Sequence, residues 1–372
     1  MLKVLTADLK VAIKQIKDVC DLSSNGDING GDNLKNLSSY IEVSSDESSL
    51  YLSSMDYMTT VKVRVKLQEN NTTSNDTVTV SAKTLIALVD KITTEFSEFM
   101  ITQDALTVTA NGVYTFPVGV DIDGKLLTFP EMNLDLSKAT KKFSLKNLID
   151  RLNVCKPAVA ETMDVKELNN YYLKDVVIAS NGFNIAFTQN QDELKDDEIF
   201  ISKKLGDIIG KLEGEFAQYY IENDNIYIVG DSFLLQGKNG INLDIFPIDA
   251  IKNVCKQEFE YKIQVQKGAV DQLIDRLILF VTNYDNDELL VNFQKDRMIL
   301  TNKNKTSVES VMYSEPIEGD FIELSTPLNA TMFKKQLETI VDDSMFISFG
   351  GTDEMIKIED SNATVIVSLL KE

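Results

Sequence analysis

Apolar and polar residues alternate through ITQDALTVTANGVYTF, residues 101–116, and again through YIENDNIYIVGDSF, residues 220–233. A period of two marks half-buried strands. The two segments stay in step, because Ile101, Asp104, Leu106 and Val108 recur as Ile221, Asp224, Ile226 and Ile228. A third strand set of the same kind runs from Met345 to Leu370. Asn111-Gly112 and Asn181-Gly182 tolerate positive φ and predict tight two-residue hairpin turns. Gly237-Lys-Asn-Gly240 reads as another hairpin and not as a phosphate cradle, because no helix follows it.

The apolar period lengthens before each strand set, where a helix opens behind a hydroxyl or amide cap at Ser81, Ser202 or Asn329, the last leading into Ala330–Ile340. Another helix opens each repeat, at Ala7–Cys20, Ser144–Cys155 and Lys267–Phe280. The pentapeptide Leu-Ile-Asp-Arg-Leu stands in two of these, at 148–152 and 273–277, which are 125 residues apart. That spacing exceeds the roughly 20–50 residues of a solenoid period and fits whole domains copied in tandem. Leu148, Leu152, Leu273 and Leu277 are then expected to pack inward, with Arg151 and Arg276 equivalent on the polar side. Cys20 and Cys155 each follow a valine near a helix end and read as equivalent core positions. The fold class is α+β: three tandem copies with helices on one face of antiparallel sheets, spanning 1–135, 136–254 and 255–372. Polar connectors are expected near Asn133–Thr140 and Lys252–Phe259, and a mobile loop at Ser23–Ser39.

Composition removes much chemistry. With no histidine among 372 residues, Ser-His and Cys-His nucleophile pairs and histidine zinc sites are impossible. The three cysteines (Cys20, Cys155, Cys255) are too dispersed for a CxxC site and fit reduced thiols in a cytoplasm. No Gly-rich phosphate loop, no apolar run of about 18 residues and no signal-peptide pattern is found. The acidic runs Asp192–Glu198 and Asp285–Glu288 read as solvated loops, since a calcium loop needs glycine where the second run has Leu290. No metal, cofactor or catalytic residue is expected. An enzyme built on two carboxylates would need buried acids converging in one cleft, whereas the acids here fall in loops and on polar faces.

The net charge of −21, from 37 basic and 58 acidic residues, argues against nucleic acid only if it is evenly spread. It is not. Fifteen of the 37 basic residues fall on the six helices: Lys10, Lys14, Lys17, Lys83, Lys91, Lys146, Arg151, Lys156, Lys203, Lys204, Lys211, Lys267, Arg276, Lys334 and Lys335. Lys10, Lys14 and Lys17 share one helix face by their spacing. A solvated amphipathic face accounts for any one helix equally well, but the recurrence in every repeat predicts a surface for a polyanion. Without aromatic interleaving or a base-reading helix motif, such binding would be sequence-independent. A protein-interaction scaffold that binds no DNA would need no such faces.

The chain resembles the bacterial sliding clamps, the beta subunits of DNA polymerase III. The resemblance rests on Leu52–Val65, Val80–Lys91, Tyr171-Tyr172-Leu173, Ile201-Ser-Lys-Lys-Leu205, Asp244-Ile-Phe-Pro247, Leu328-Asn329 and Ile356–Asp360, in order over the whole chain. It implies a ring-forming homodimer of three clamp domains per chain, with helices lining a hole that encircles DNA. Such a ring is a non-catalytic processivity factor that tethers a polymerase and meets a clamp loader. The resemblance also implies an apolar peptide pocket between the second and third domains. It carries over to Leu173, Asn190, Leu194, Pro247, Ile251, Asn329, Met332, Val365, Val367 and Leu369, although Val365 and Val367 are equally accounted for as core strand residues. Two stretches depart from the family pattern. Asn190-Gln-Asp-Glu-Leu194 stands where a Gly-His-Arg-Leu-like run is common, and Ser368-Leu-Leu-Lys-Glu372 replaces a Pro-Met-Arg-Leu-like tail.

Overall fold

A computed structural model describes residues 1–23, 37–70, 76–121, 123–132, 134–161, 167–190, 193–239, 246–281, 287–351 and 355–370. The expected loop at Ser23–Ser39 falls largely outside these residues, as do Asp192, Gly240 and Asp285. Three rounds of one element order run along the chain. In the first, β1 (Leu2–Leu5) leads into helix α1 (Thr6–Ile16), followed by β2 (Tyr40–Ser45), β3 (Ser49–Met55) and β4 (Thr59–Asn70). Then β5 (Thr77–Ser81) leads into α2 (Ala82–Lys91), followed by β6 (Phe96–Ile101), β7 (Ala105–Thr109) and β8 (Val113–Pro117).

The second round repeats this with β9 (Lys141–Ser144), α3 (Leu145–Cys155), β10 (Asn170–Leu173), β11 (Val176–Ser180) and β12 (Asn184–Gln189). It continues with β13 (Ile199–Ser202), α4 (Lys203–Ile209), β14 (Phe216–Glu222), β15 (Asn225–Gly230) and β16 (Phe233–Lys238). An additional helix, α5 (Ile248–Cys255), precedes the third round. That round holds β17 (Tyr261–Gln266), α6 (Lys267–Ile278), β18 (Glu288–Phe293), β19 (Arg297–Asn302) and β20 (Val308–Met312). It ends with β21 (Leu324–Asn329), α7 (Ala330–Leu337), β22 (Ser344–Phe349), β23 (Met355–Glu359) and β24 (Thr364–Ser368).

The chain forms two compact units, one of residues 1–148 and 204–239, the other of residues 149–203 and 240–372. In the first unit a sheet runs β8-β7-β6-β1-β4-β16-β15-β14-β9, with β3 also paired to β4. Strands of the first and second rounds join where β4 meets β16 antiparallel, Val63 opposite Phe233 and Thr59 opposite Gly237. Helix α1 lays Leu9, Ala12, Ile13 and Ile16 against β3 and β4, and α2 buries Leu85, Ile86 and Val89.

The second unit holds the sheet β13-β10-β11-β12-β24-β23-β22-β17 and the smaller sheet β20-β19-β18-β21. Here the second and third rounds join between β12 and β24, Asn184 opposite Val367 and Phe187 opposite Thr364. Helix α6 packs on α7 and β20 through Val270, Leu273, Ile274 and Leu277. The four leucines of the repeated pentapeptide are all buried, Leu148 and Leu152 as well as Leu273 and Leu277. Cys155 is buried and Cys20 less so.

Several local expectations need correction. The stretch Lys252–Phe259 is not simply a polar connector: its first residues belong to α5, whose Ile251 packs with Phe246, Tyr172 and Phe200. Asn253 and Lys256 are exposed while Lys252 lies over the Tyr172 ring, so a one-sided helix reads as polar. Asn111-Gly112 belongs to a three-residue loop, since Thr109 pairs directly with Val113. The Asn111 side chain instead accepts a hydrogen bond from the Thr93 amide at 2.9 Å. In the second hairpin the central pair is Gly182-Phe183, with Gly182 at φ 87° and Asn181 capping the Phe183 and Asn184 amides. Asn223-Asp224, not singled out beforehand, is the turn with positive φ at both positions (48° and 60°). Gly237 is a strand residue of β16, where a Cβ would stand 2.6 Å from a methyl of Leu205. The Asn329 cap forms as expected, its side chain accepting from the Met332 amide at 2.8 Å.

The buried leucine and exposed arginine of α6 should respond differently to truncation. Leu273→Ala should lower stability by about 2–5 kcal/mol in urea unfolding. Arg276→Gln should leave the unfolding midpoint nearly unchanged, because the Arg276–Glu309 pair is solvated.

Candidate nucleic-acid interface and peptide site

In the first unit, α4 buries Leu205, Ile208 and Ile209, which leaves Lys204 and the following Lys211 on its polar side. Lys204 is hydrogen-bonded to Asp56, whose other oxygen accepts the Met58 and Thr59 amides in the β3–β4 turn. Lys211 is ion-paired with Asp18, just beyond α1. Burial, then repulsion from Lys17 and Lys14, holds the Lys211 ammonium below its ordinary range even with Asp18 beside it. Lysines of α1 and α4 therefore share one field. Lys10 lies a turn before Lys14 and is half-buried, while Lys83 and Lys91 on α2 and Lys146 on α3 are exposed.

In the second unit the basic residues are held by acids. Lys203 and Lys335 both lie 3.9 Å from Glu161 Oε1. Lys334 pairs with Asp275 at 2.5 Å, and Lys267 with Asp271 one helical turn away at 2.5 Å. Arg276 grips Glu309 of β20 with two bonds of 2.6 Å, which lowers the glutamate's pKa and raises the arginine's. Arg151 also meets a side-chain amide. Its Nη1 donates to Asn190 Oδ1 at 3.0 Å, so a residue expected on the basic face meets one expected in the peptide pocket.

The ten expected pocket residues do not all share a surface. Leu173 on β10 faces the same side as Val177, Ala186, Val365 and Val367, and all five are buried. Ile251 packs with Tyr172, on the opposite face of that sheet. Leu194 is buried, and Asn190 is buried with its amide donating to the Lys174 carbonyl at 2.5 Å. Pro247 is exposed, Met332 half-buried, and Asn329 is the cap of α7.

Val367 and Leu369 do lie near other expected members, because the C-terminal segment is bracketed on both sides. The Ser368 amide donates to the Phe183 carbonyl and the Leu370 amide to the Pro327 carbonyl, each at 2.9 Å. Asn329 lies two residues beyond Pro327. Phe183 is 66% exposed at this point, an aromatic ring left open beside a chain end.

No protein-family profile and no curated protein matches this chain at the level of sequence. Solved structures do match, over its whole length. The DNA polymerase III beta subunit of Thermotoga maritima superposes with a TM-score of 0.81 at 16% identity, covering 100% of this chain and 99% of its own. The C. crescentus beta sliding clamp gives 0.79 at 15%, with the same coverages. A Helicobacter pylori beta clamp bound to a DNA ligase peptide gives 0.77 at 14%, again covering 100% and 99%. The chain has the sliding-clamp fold.

Within the clamp fold, one run escaped the reading of the sequence. Gly182-Phe183-Asn184-Ile185 carries the exposed Phe183 at its turn. It stands against the C-terminal strand, with Asn184 buried opposite Val367. The available signal was a large aromatic at the tip of a polar turn. Among the described residues, no group of three Cys, Asp or Glu side chains could hold a metal ion, and no helix is long and apolar enough to cross a membrane.

Cys20 lies in the field of Lys204 and Asp56, yet burial dominates and pushes its thiol up to about 12. Burial likewise takes Cys255 up to about 11 and raises Cys155. A raised thiol pKa leaves the unreactive protonated form in place through neutral pH. Iodoacetamide at pH 8 should therefore label the native protein at about one-hundredth or less of the rate seen in urea. Equal rates in the two states would show that these thiols are not shielded.

Proposed function

We propose that this chain is a DNA sliding clamp: a non-catalytic processivity factor in which two copies form a ring around duplex DNA. The ring would act in the cytoplasm, a setting that three unpaired cysteines suit. The observation that carries the reading is a pairing rule between rounds. The fourth strand of the first round (β4) pairs with the eighth of the second (β16). The fourth of the second (β12) pairs with the eighth of the third (β24). Applied once more, the rule calls for the fourth strand of the third round (β20) to meet the eighth of the first (β8).

Like β5, β9, β13, β17 and β21, these two strands lack a partner on one side among the described residues. Each shows apolar side chains to solvent, Val113 at 71% and Val308 at 61% exposed. An unpaired apolar edge is a template for another strand. A second copy satisfies both edges twice over and closes the assembly. The junctions favour the domain limits 1–135, 136–254 and 255–372, each round being one clamp domain.

Basic helices recurring in every round supply sequence-independent phosphate contacts. Lys10, Lys14, Lys17, Lys83, Lys91, Lys146, Lys203, Lys204, Lys211, Lys267, Arg276, Lys334 and Lys335 are the residues we assign to DNA. Arg151 is better assigned to positioning Asn190. A polymerase or clamp-loader peptide would dock where Phe183, Leu369, Met332 and Asn329 surround the C-terminal segment. The H. pylori clamp captured with a ligase peptide supports a site of this kind.

Light scattering at micromolar concentration should give the mass of two chains, and electron microscopy should show a ring of six similar lobes. A stable monomer would overturn the reading. Once loaded on nicked circular DNA, the protein should be retained and should escape when the circle is cut. In equilibrium binding to duplex, Lys14→Glu with Lys17→Glu should flatten the dependence of affinity on salt by about two units of slope. An unchanged slope would remove α1 from the DNA surface.

A further inference from the structure

The basic helices are unusual in one respect: half of their assigned cations are already occupied. Among the described residues, Lys203, Lys204, Lys211, Lys267, Arg276, Lys334 and Lys335 each lie within ion-pair distance of an aspartate or glutamate. The acids come from several places: Asp18 beyond α1, Asp56 in a hairpin turn, Glu161 in a connector, Asp271 and Asp275 on α6, and Glu309 on β20. Glu161 is approached by two lysines while remaining 72% exposed, and Asp275 is 57% exposed. Surface pairs of this kind contribute little to stability, about 0–1 kcal/mol each, so their placement needs another reason.

We propose that Asp18, Glu161 and Asp275 are built-in competitors for phosphate, which keep the hold of these helices on DNA weak and quickly exchanged. The inference rests on the reading of the chain as a DNA clamp. A lysine that meets a phosphate must first leave its carboxylate. The carboxylate then faces the phosphate as a like charge, so each contact gains less than a bare lysine would. The condensed cations released from DNA are also partly retained by the vacated acid, which flattens the dependence on salt. A ring that holds DNA by enclosure does not need tight contacts, and tight contacts would resist sliding. The pairs on α4, α6 and α7 thus set the strength of the hold, while Lys14 and Lys17 on α1 have no described acid partner and supply attraction.

The test uses the full chain carrying Asp18→Asn, Glu161→Gln and Asp275→Asn. These changes release Lys211, Lys203, Lys335 and Lys334 without altering any described backbone hydrogen bond. Affinity for a short linear duplex would be read by fluorescence anisotropy between 50 and 200 mM salt, a range over which a phosphate-dominated hold changes strongly. The expected result is binding at least tenfold tighter at the lower salt, with the salt slope steeper by about three units. A control variant would carry Asp104→Asn, Asp224→Asn and Glu318→Gln, which remove the same charge away from the helices. An equal gain in the control would overturn the proposal, because net charge alone would then explain the effect. No gain in the triple variant, while Lys14→Glu with Lys17→Glu still weakens binding, would overturn it and leave the DNA reading intact. If neither set moves the affinity, the DNA reading itself fails.

Discussion

Every strand edge in a sheet presents backbone amides and carbonyls that must find partners, and this constraint organises the chain. Several strands of each round stand at a sheet border among the described residues or meet a strand of another round there. The chain resolves two of these borders internally, β4 against β16 and β12 against β24. The helices could not fulfil this role, because their backbone bonds are satisfied within each helix. What the helices contribute is the apolar stripe that covers one side of each sheet, as Leu9, Ile13 and Ile16 do on β3 and β4. Strands therefore carry the joins and helices are left with a free polar side.

That free side is where the charge of the protein acquires a pattern. In a chain with 58 acidic residues against 37 basic ones, a basic surface can arise only from the position of its lysines and arginines. Lys14, Lys17 and Lys211 are brought close enough that their mutual repulsion, together with burial, disfavours the Lys211 charge. A bound anion would relieve that repulsion, as Asp18 does in part. Acids lie within reach of other helix lysines, as Asp271 and Asp275 on α6 do for Lys267 and Lys334. For the proposed clamp, strong attraction and free movement are competing demands, and a cation that shares its counter-charge would meet both partway.

The repeated fold was legible because its signals are local and redundant. Alternation at Leu106, Val108, Ile226 and Ile228 predicted strands, and all four side chains are buried on matching strands of their rounds. The Leu-Ile-Asp-Arg-Leu pentapeptide likewise placed four leucines inward. Helix α5 was missed because only Ile251 of its eight residues is buried, so its polar side dominated the reading. The candidate peptide site was harder still. Leu173 and Ile251 are both apolar, yet adjacent-residue alternation puts Leu173 opposite to Tyr172, on which Ile251 packs. Which face of a sheet a residue joins depends on register across strands far apart in sequence, and no single segment carries that information.

The two arginines of the repeated pentapeptide show where duplication stops constraining chemistry. Their leucine neighbours must fill equivalent spaces in close-packed cores, so substitution there is costly. The arginines face partners supplied by other elements, and those elements have diverged. Arg276 meets a carboxylate on β20 with both arms of its guanidinium, and the partners of Arg151 include the side-chain amide of Asn190. A bidentate carboxylate pair fixes a charge near a sheet edge. The bond from Arg151 helps hold Asn190, whose own amide nitrogen ties down the carbonyl of Lys174. Identical sequence thus yields a common core position and two different roles, decided by what each arginine can reach.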